Sequence, residues 1–526
     1  MKLSGWSILL ISLILSIVII PNNYYSPLPN INSEKIGGYS PSIIEFTSQK
    51  NFDKRNPCKL LMKVEEIGNQ EIFWSLDVLE AKYVQKRATL LSVGEKCYVY
   101  MANETIYEIG QSTAFSTCNY YRDEFDALIY GKNIEFMGHP DGRIGDIDGD
   151  PRVTIFLVPL NGAGGVYLQK DDLADATYSN HREMVYINSV IGERVGGLMT
   201  LMHEFNHLIW FNYEMDEGHF LLEGAAEFAI YYARYLASAT NSPGINLTWH
   251  TNNFIENHQR SLLSFHLANG IPLSEDYGKA YLFMLYLVEQ FGFDFLRNLV
   301  LALPDGPLGI DSALDVSDYN TRFNDIFLNW ITSCTIDNEL ISDGIYGFKN
   351  VNFKIEPDEV ISNFPFIKTN IKHYPYGFHV KKLVNPPNNF TFMITNPYPT
   401  YSLGISIILN DQNGWNVIKS NYLENNDLIY TYISGENIIE AYIITALMNE
   451  NTPEVFQDFI NVGDEIYIQL DFSLEEGHVQ IPTDISIITS SSMIFPPIVF
   501  LLPSLLILIY KIQNKKKSKN KLILKI

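Results

Sequence analysis

Cysteine is scarce in this chain: four residues in 526, Cys58, Cys97, Cys118 and Cys334. No two stand in Cys-x-x-Cys spacing, which excludes a metal site built from paired thiolates. One or two disulfides and buried free thiols both remain open for them. Basic residues are scarce too, 37 against 60 acidic for a formal net charge of -23, and seven of the 37 lie between Lys511 and Lys525. The rest of the chain is therefore strongly acidic. Phosphate binding rests on clustered Lys and Arg, so nucleic acid is excluded as a natural partner. Internal repeats are absent as well.

What is present is apolar. A 46% hydrophobic and 13% aromatic content excludes disorder, and the length corresponds to about two to four domains. The longest apolar runs sit at the two ends. Residues 6–20, WSILLISLILSIVII, follow a single Lys2 and predict a signal peptide or N-terminal anchor over 1–24, with no small-x-small cleavage site after them. Met493–Tyr510 is uncharged and is followed by KIQNKKKSKNK, a stop-transfer pattern. It predicts a transmembrane helix over 493–510 and a basic cytoplasmic tail over 511–526, which places the body outside the cell. Sequons at Asn103, Asn246 and Asn389 are compatible with an exported glycoprotein surface.

Between the ends the pattern changes twice. Residues 25–84 form a turn-rich then β-rich segment that is a candidate prosegment. Alternation continues in ATLLSVGEKCYVYM, where Gly94 and Glu95 predict a hairpin turn. RVTIFLVPL and MVYINS predict strands, and helical periodicity runs from about Glu193 to Asn212 and again from about Leu221. MVYINS is either a sheet edge on which an extended peptide lies or an ordinary core strand. Residues 251–340 read as mostly helical. From Tyr346 to about 490 short β-rich runs broken by Asn, Pro and Gly predict a β-sandwich.

The chemistry concentrates in HEFNHLIWFNYEMDEGHFLLEGAAEF, His203–Phe228. Residues i and i+4 of a helix share a face, so His203 and His207 can offer two imidazoles to one Zn2+. Glu204 then stands beside the metal, placed to take a proton from water as general base. A third ligand must come after the chain turns back, and Gly218 supplies the turn. Glu223 at the start of the next helix is read as that ligand, with His219 as the alternative. Glu227, one turn on, is read as the carboxylate that holds His203 in its useful tautomer. The layout with Gly and His at the third and sixth positions after the pentad fails, because Trp210 and Tyr213 stand there.

HEFNH followed by LLEGAAEF resembles the gluzincin metallopeptidases, and GDIDGDPRVTIFLVPL with ATLLSVGEKCYVYM resembles the secreted microbial peptidases of the hyicolysin type. The resemblance covers roughly residues 85–340. It implies a zinc endopeptidase acting on proteins or peptides, with His203, His207 and Glu223 as ligands and Glu204 as base. YGKAYLFMLYLVEQFG resembles a stretch of the membrane alanyl-aminopeptidase-like enzymes, which implies Tyr277 as hydrogen-bond donor to the oxyanion; Tyr281 is an alternative, and Ala280 departs from the expected Gly. No Gly-x-Met-Glu-Asn motif is present, which favours an endopeptidase.

The expected fold is therefore α+β: a zincin-like domain over 85–345, with a β-sheet, active-site helices and a helical C-terminal subdomain, then a β-sandwich over 346–490 and the transmembrane helix. Asp146, Asp148 and Asp150 alternate as in the opening of a Ca2+ loop, or form an acidic turn; Pro151 and Leu157 break the loop pattern. The rival functional readings are a catalytically silent scaffold in an adhesion or receptor protein, and a zinc hydrolase of non-peptide esters or amides.

Overall fold

The computed structural model of the chain describes residues 65–138, 148–191, 195–235, 249–395, 401–423, 428–435, 437–449 and 451–477. The first sheet is built from β1 (Gln70–Asp77), β2 (Lys82–Val93), β3 (Cys97–Ala102), β4 (Val153–Val158), β5 (Gly165–Tyr167) and β6 (Met184–Asn188). Their spatial order is β1-β2-β3-β4-β6-β5. The β1/β2 and β2/β3 pairs are antiparallel, β3/β4 and β4/β6 parallel, and β5 returns antiparallel at the edge. The parallel β3/β4 pair needs a crossover, and α1 (Asn103–Ile109), α2 (Gln111–Glu124) and α3 (Tyr130–Met137) lie in that connection. All residues of β3, β4 and β6 are buried, as their predominantly apolar sequences, interrupted only by Thr154 and Asn188, require of strands covered on both faces.

Helix α4 (Val195–Tyr213) packs on β5 and β6 and against α5 (His219–Tyr232). Then come α6 (Trp249–Glu256), β7 (Phe265–Ala268), β8 (Ile271–Pro272), α7 (Ser274–Val300), α8 (Gly306–Val316) and α9 (Phe323–Ile336). Two glycines set the spacing of this helical layer. A Cβ at Gly224 of α5 would stand 2.6 Å from Ala280 O of α7, and Gly278 of α7 meets the backbone of His250 in α6 just as closely.

The C-terminal strands form a four-stranded sheet, β10 (Phe366–His373), β18 (Ile468–Glu476), β12 (Asn389–Thr395) and β15 (Leu428–Ser434), and a five-stranded one. The latter runs β14 (Gly414–Leu423), β13 (Ser402–Asp411), β16 (Glu440–Met448), β11 (Phe378–Val384) and β9 (Glu359–Ile361). Ala441, Ile443 and Leu447 of β16 face the four-stranded sheet, whereas Tyr442, Ile444, Ala446 and Met448 join the core that holds Trp330 of α9. The five-stranded sheet is thus covered on both faces. The short β17 (Phe459–Asn461) leaves the sandwich to pair in parallel with β7.

These findings correct the expected fold. The chain is mixed α/β with parallel and antiparallel pairs and four sheets among its described residues, not an α+β domain followed by a free-standing sandwich. The physical reason is the second apolar face of β16, which demands a cover that α9 provides. No helix among the described residues is long and apolar enough to cross a membrane. The runs assigned to residues 1–24, 493–510 and 511–526 lie outside the described residues. Cys97, Cys118 and Cys334 are free and buried in the main core.

Candidate metal centre

Helix α4 presents its polar residues in the order its period dictates. Phe205 and Asn206, the middle of the pentad, turn inward. Phe205 is edge-on to Phe125 at 4.9 Å and stacks on Tyr130 at 5.7 Å, while Asn206 Nδ2 donates to Asn133 Oδ1 of α3 at 3.0 Å. With that face anchored, His203 and His207 project together from the other, their Nε2 atoms 3.1 Å apart.

The chain turns back at Gly218, and α5 brings Glu223 to the pair. Its Oε2 lies 3.1 Å from His203 Nε2 and 3.6 Å from His207 Nε2. Buried as it is, Glu223 Oε2 makes no hydrogen bond of acceptable geometry. A tetrahedral ion with ligand atoms at about 2.0–2.1 Å separates those atoms by about 3.3 Å, so the three donors have the spacing and the orphaned oxygen that a cation would satisfy. Among the described residues, His203, His207 and Glu223 are the one His/Cys/Asp/Glu group able to hold a metal ion. The side chains of both histidines keep about 15% exposure, 15% and 16%, against 3% for Glu223. The centre is therefore closed on its carboxylate side and accessible on its imidazole side, as a site with a vacant coordination position needs.

Charge reinforces the geometry. Burial works against the His203 imidazolium, but the carboxylates of Glu223, Glu204 and Glu227 outweigh it and hold the ring up to about 9. Burial pushes the Glu223 carboxyl upward, yet the two imidazoles draw it well below the usual carboxylate range. Three carboxylates around two imidazoles leave a surplus of negative charge that favours a proton or a cation.

Glu204 is 8% exposed. Burial raises its carboxyl above the ordinary value, with the imidazoles and the N–H of Tyr167 acting in opposition. The approach of β5 is what surrounds it. A Cβ at Gly165 would stand 3.0 Å from Glu204 Cγ and closer still to Thr200 Cγ2, so the edge strand and the helix meet only because residue 165 has no side chain. The sheet edge belongs to β5. MVYINS forms β6 and is paired on both sides.

Glu227 stands 3.7 Å from His203 Nδ1 and 3.4 Å from His250 Nδ1, between two histidines. His250 has no place in any motif and was not foreseen. Its ring stacks on Tyr277 at 5.1 Å, and Phe265 meets Tyr277 edge-on at 5.1 Å. Tyr277 is thus joined to the centre through His250 and Glu227. Tyr281, one turn on, is fully buried, with its ring 6.1 Å from that of Tyr231. His219, the alternative third ligand, is engaged elsewhere: its Nδ1 lies 3.1 Å from Asp458 Oδ2. Glu217 accepts the N–H groups of Gly218 at 2.7 Å and Gly306 at 2.6 Å, and burial pushes its carboxyl up to about 8.

The acidic triplet is not gathered into a site among the described residues. Asp150 accepts from Tyr98 at 2.8 Å and pairs with Arg152 at 3.1 Å, and Asp148 Oδ1 accepts from the Asp150 N–H at 2.8 Å. Asp146 lies outside the described residues.

No family model and no curated protein matches the chain. Among solved structures, CorA, a surface-associated copper-binding protein of Methylomicrobium album BG8, matches 23% of this chain and 98% of its own at 4% identity and a TM-score of 0.16. Tripeptidyl peptidase 2 matches 27% of this chain and 13% of its own at 11% identity and 0.17. A xylan-binding module of family 22 matches 18% and 60% at 11% identity and 0.12. Scores of that size carry no argument about fold or activity.

Proposed function

We propose that the chain is a zinc-dependent peptidase whose centre is His203, His207 and Glu223. The observation that carries the reading is the orphaned Glu223 Oε2 between two imidazole nitrogens at 3.1 and 3.6 Å, with a raised, buried carboxyl at Glu204 on the adjacent helix position. Two nitrogens and one oxygen form a donor set suited to Zn2+. When bound, the ion supplies Lewis acidity that polarises a carbonyl and makes water a nucleophile near neutral pH.

The chain's own residues do the rest. Glu204 holds and releases the proton: its elevated carboxyl is closer in basicity to the groups it exchanges with than an exposed glutamate would be. Glu227, 3.7 Å from His203 Nδ1, is placed to hold that ring so that Nε2 would be available to the ion. Tyr277, held by the His250 ring, is the candidate donor to the developing oxyanion. β5 carries no outer strand partner among the described residues. An extended peptide pairing with Gly165–Tyr167 would run beside Glu204, which favours a polypeptide over a small ester.

The test is metal analysis of the purified chain with digestion of a quenched peptide library. Cleavage abolished by a chelator and restored by Zn2+ is expected. A chain that binds Zn2+ yet leaves peptides intact would overturn the peptidase reading, and a chain that binds no transition metal would overturn the centre itself.

A further inference from the structure

The third ligand is carried by α5, whose N-terminus is held by a segment far away in sequence. Helix α5 has no cap of its own: Gly218 precedes it and contributes no side-chain hydrogen bond. Asp458 supplies one from the sandwich. Its Oδ1 accepts from the backbone N–H of His219 at 3.1 Å, and its Oδ2 lies 3.1 Å from His219 Nδ1. Phe459 packs edge-on to the His219 ring at 4.2 Å. Phe456 covers Gly218, where a Cβ would stand 2.8 Å from its ring, and meets Phe220 edge-on at 6.0 Å.

This strap is itself fastened. The Phe265 N–H donates to Asp458 O at 2.7 Å, Ser264 Oγ donates to Gln457 O at 2.6 Å, and β17 pairs with β7 from Phe459 to Asn461. Its position therefore follows the same strand whose Phe265 abuts Tyr277.

The spacing on α5 gives the strap its significance. His219, Glu223 and Glu227 stand at i, i+4 and i+8, one stripe of the helix. Fixing the first residue of the stripe sets the rotation and the axial position of the other two. We propose that Asp458 is a positioning residue for the metal centre: by clamping His219 it sets where the Glu223 and Glu227 carboxylates fall relative to the imidazoles of α4. The inference rests on the metal reading above and identifies what pre-organises it.

Asp458 keeps 33% side-chain exposure, so its replacement opens no cavity in the core. The experiment compares Asp458→Ala, Asp458→Asn and the control Phe392→Leu, which loosens the distant sandwich core. Each full-length chain is measured for Zn2+ and Co2+ affinity by competition with a chromogenic chelator, and for melting without metal. Asp458→Ala is expected to weaken affinity about tenfold, at the lower end of losses seen when groups supporting metal ligands are removed. The control is expected to lower the melting temperature and leave affinity unchanged. If Asp458→Ala does not fold, Asp458→Asn, which keeps an acceptor for the His219 N–H but loses the charge, carries the test with a smaller loss in the same direction. Wild-type affinity in a folded Asp458 variant would overturn the inference alone. Failure of the unaltered chain to bind either ion would overturn the metal reading and this inference with it.

Discussion

Glu223 Oε2 stands 3.1 Å from His203 Nε2 without forming a hydrogen bond to it. His207 Nε2 lies 3.6 Å from the same oxygen and 3.1 Å from His203 Nε2, so the three donor atoms cluster within reach of one ion.

Replacing Glu204 with Gln keeps the side chain's volume and removes its basicity. Glu204→Gln is expected to bind Zn2+ as the parent does and to lose about 10²–10⁴-fold in peptide cleavage, the usual contribution of a positioned acid–base group. Metal content by atomic emission and kcat/KM on a quenched peptide check both halves. Retained cleavage would remove Glu204 from the role.

Removing a ligand acts on the metal directly. His203→Ala and Glu223→Ala are expected to abolish stoichiometric Zn2+ binding, and with it the rise in melting temperature that saturating Zn2+ gives the parent. That rise corresponds to about 2.7 kcal/mol at a free concentration one hundred times Kd. Glu227→Gln, which meets His203 at Nδ1 rather than at Nε2 and also contacts His250, is expected to weaken binding about 10–100-fold without abolishing it. Thermal shift with and without Zn2+ separates the cases.

Gly165→Ala tests the closeness of β5 to α4. The added methyl must displace Thr200 or the Glu204 side chain, since its Cβ would stand 3.0 Å from Glu204 Cγ. Overpacking of this kind costs about 1–3 kcal/mol. Activity is expected to fall further than metal affinity, because the clash falls on Thr200 and Glu204, neither of which is a ligand. Equal losses in both would point to general disorder of the site.

Stability should fall as pH rises from about 4 to 7 because of Asp171, whose carboxyl burial pushes up to about 7 despite the hydroxyl of Tyr186 and the N–H of Asn180. In that window the folded chain holds a proton there that the unfolded chain has released. The unfolded state thus binds fewer protons, and the unfolding free energy declines with pH by up to about 1.4 kcal/mol per unit. Glu217, pushed up to about 8, contributes in the same direction. Asp171→Asn is expected to flatten the dependence by about one proton in urea titrations at pH 4.5 and 7.5. An unchanged slope would show that Asp171 is ionised in the folded chain.

The convergence of His203, His207 and Glu223 was legible because it depends on two local facts, the helical period and a turn at a glycine. Neither requires knowledge of the rest of the chain. The architecture around it was not legible in the same way. EAYIITALM forms the buried strand β16, but an apolar run cannot say what lies on each face, and one face of β16 belongs to the helical core. MVYINS, with four consecutive apolar residues, makes a visible strand that reads as either edge or core, whereas Gly165–Tyr167 is three residues long and has no periodicity to read. His250 and Asp458 lie outside every motif. They reach the centre through a packed helix crossing at Gly278 and a parallel pair between β17 and β7, contacts that only the folded chain makes.

The pairing of β17 with β7 also has an order in time. Synthesis proceeds from the N-terminus, and the histidines of α4 and the carboxylates of α5 leave the ribosome long before residues 456–461, which brace the start of α5. A nascent chain therefore carries every donor atom of its centre while still lacking the brace. The start of α5 would thus gain its Asp458 cap late, only after residues 456–461 have emerged.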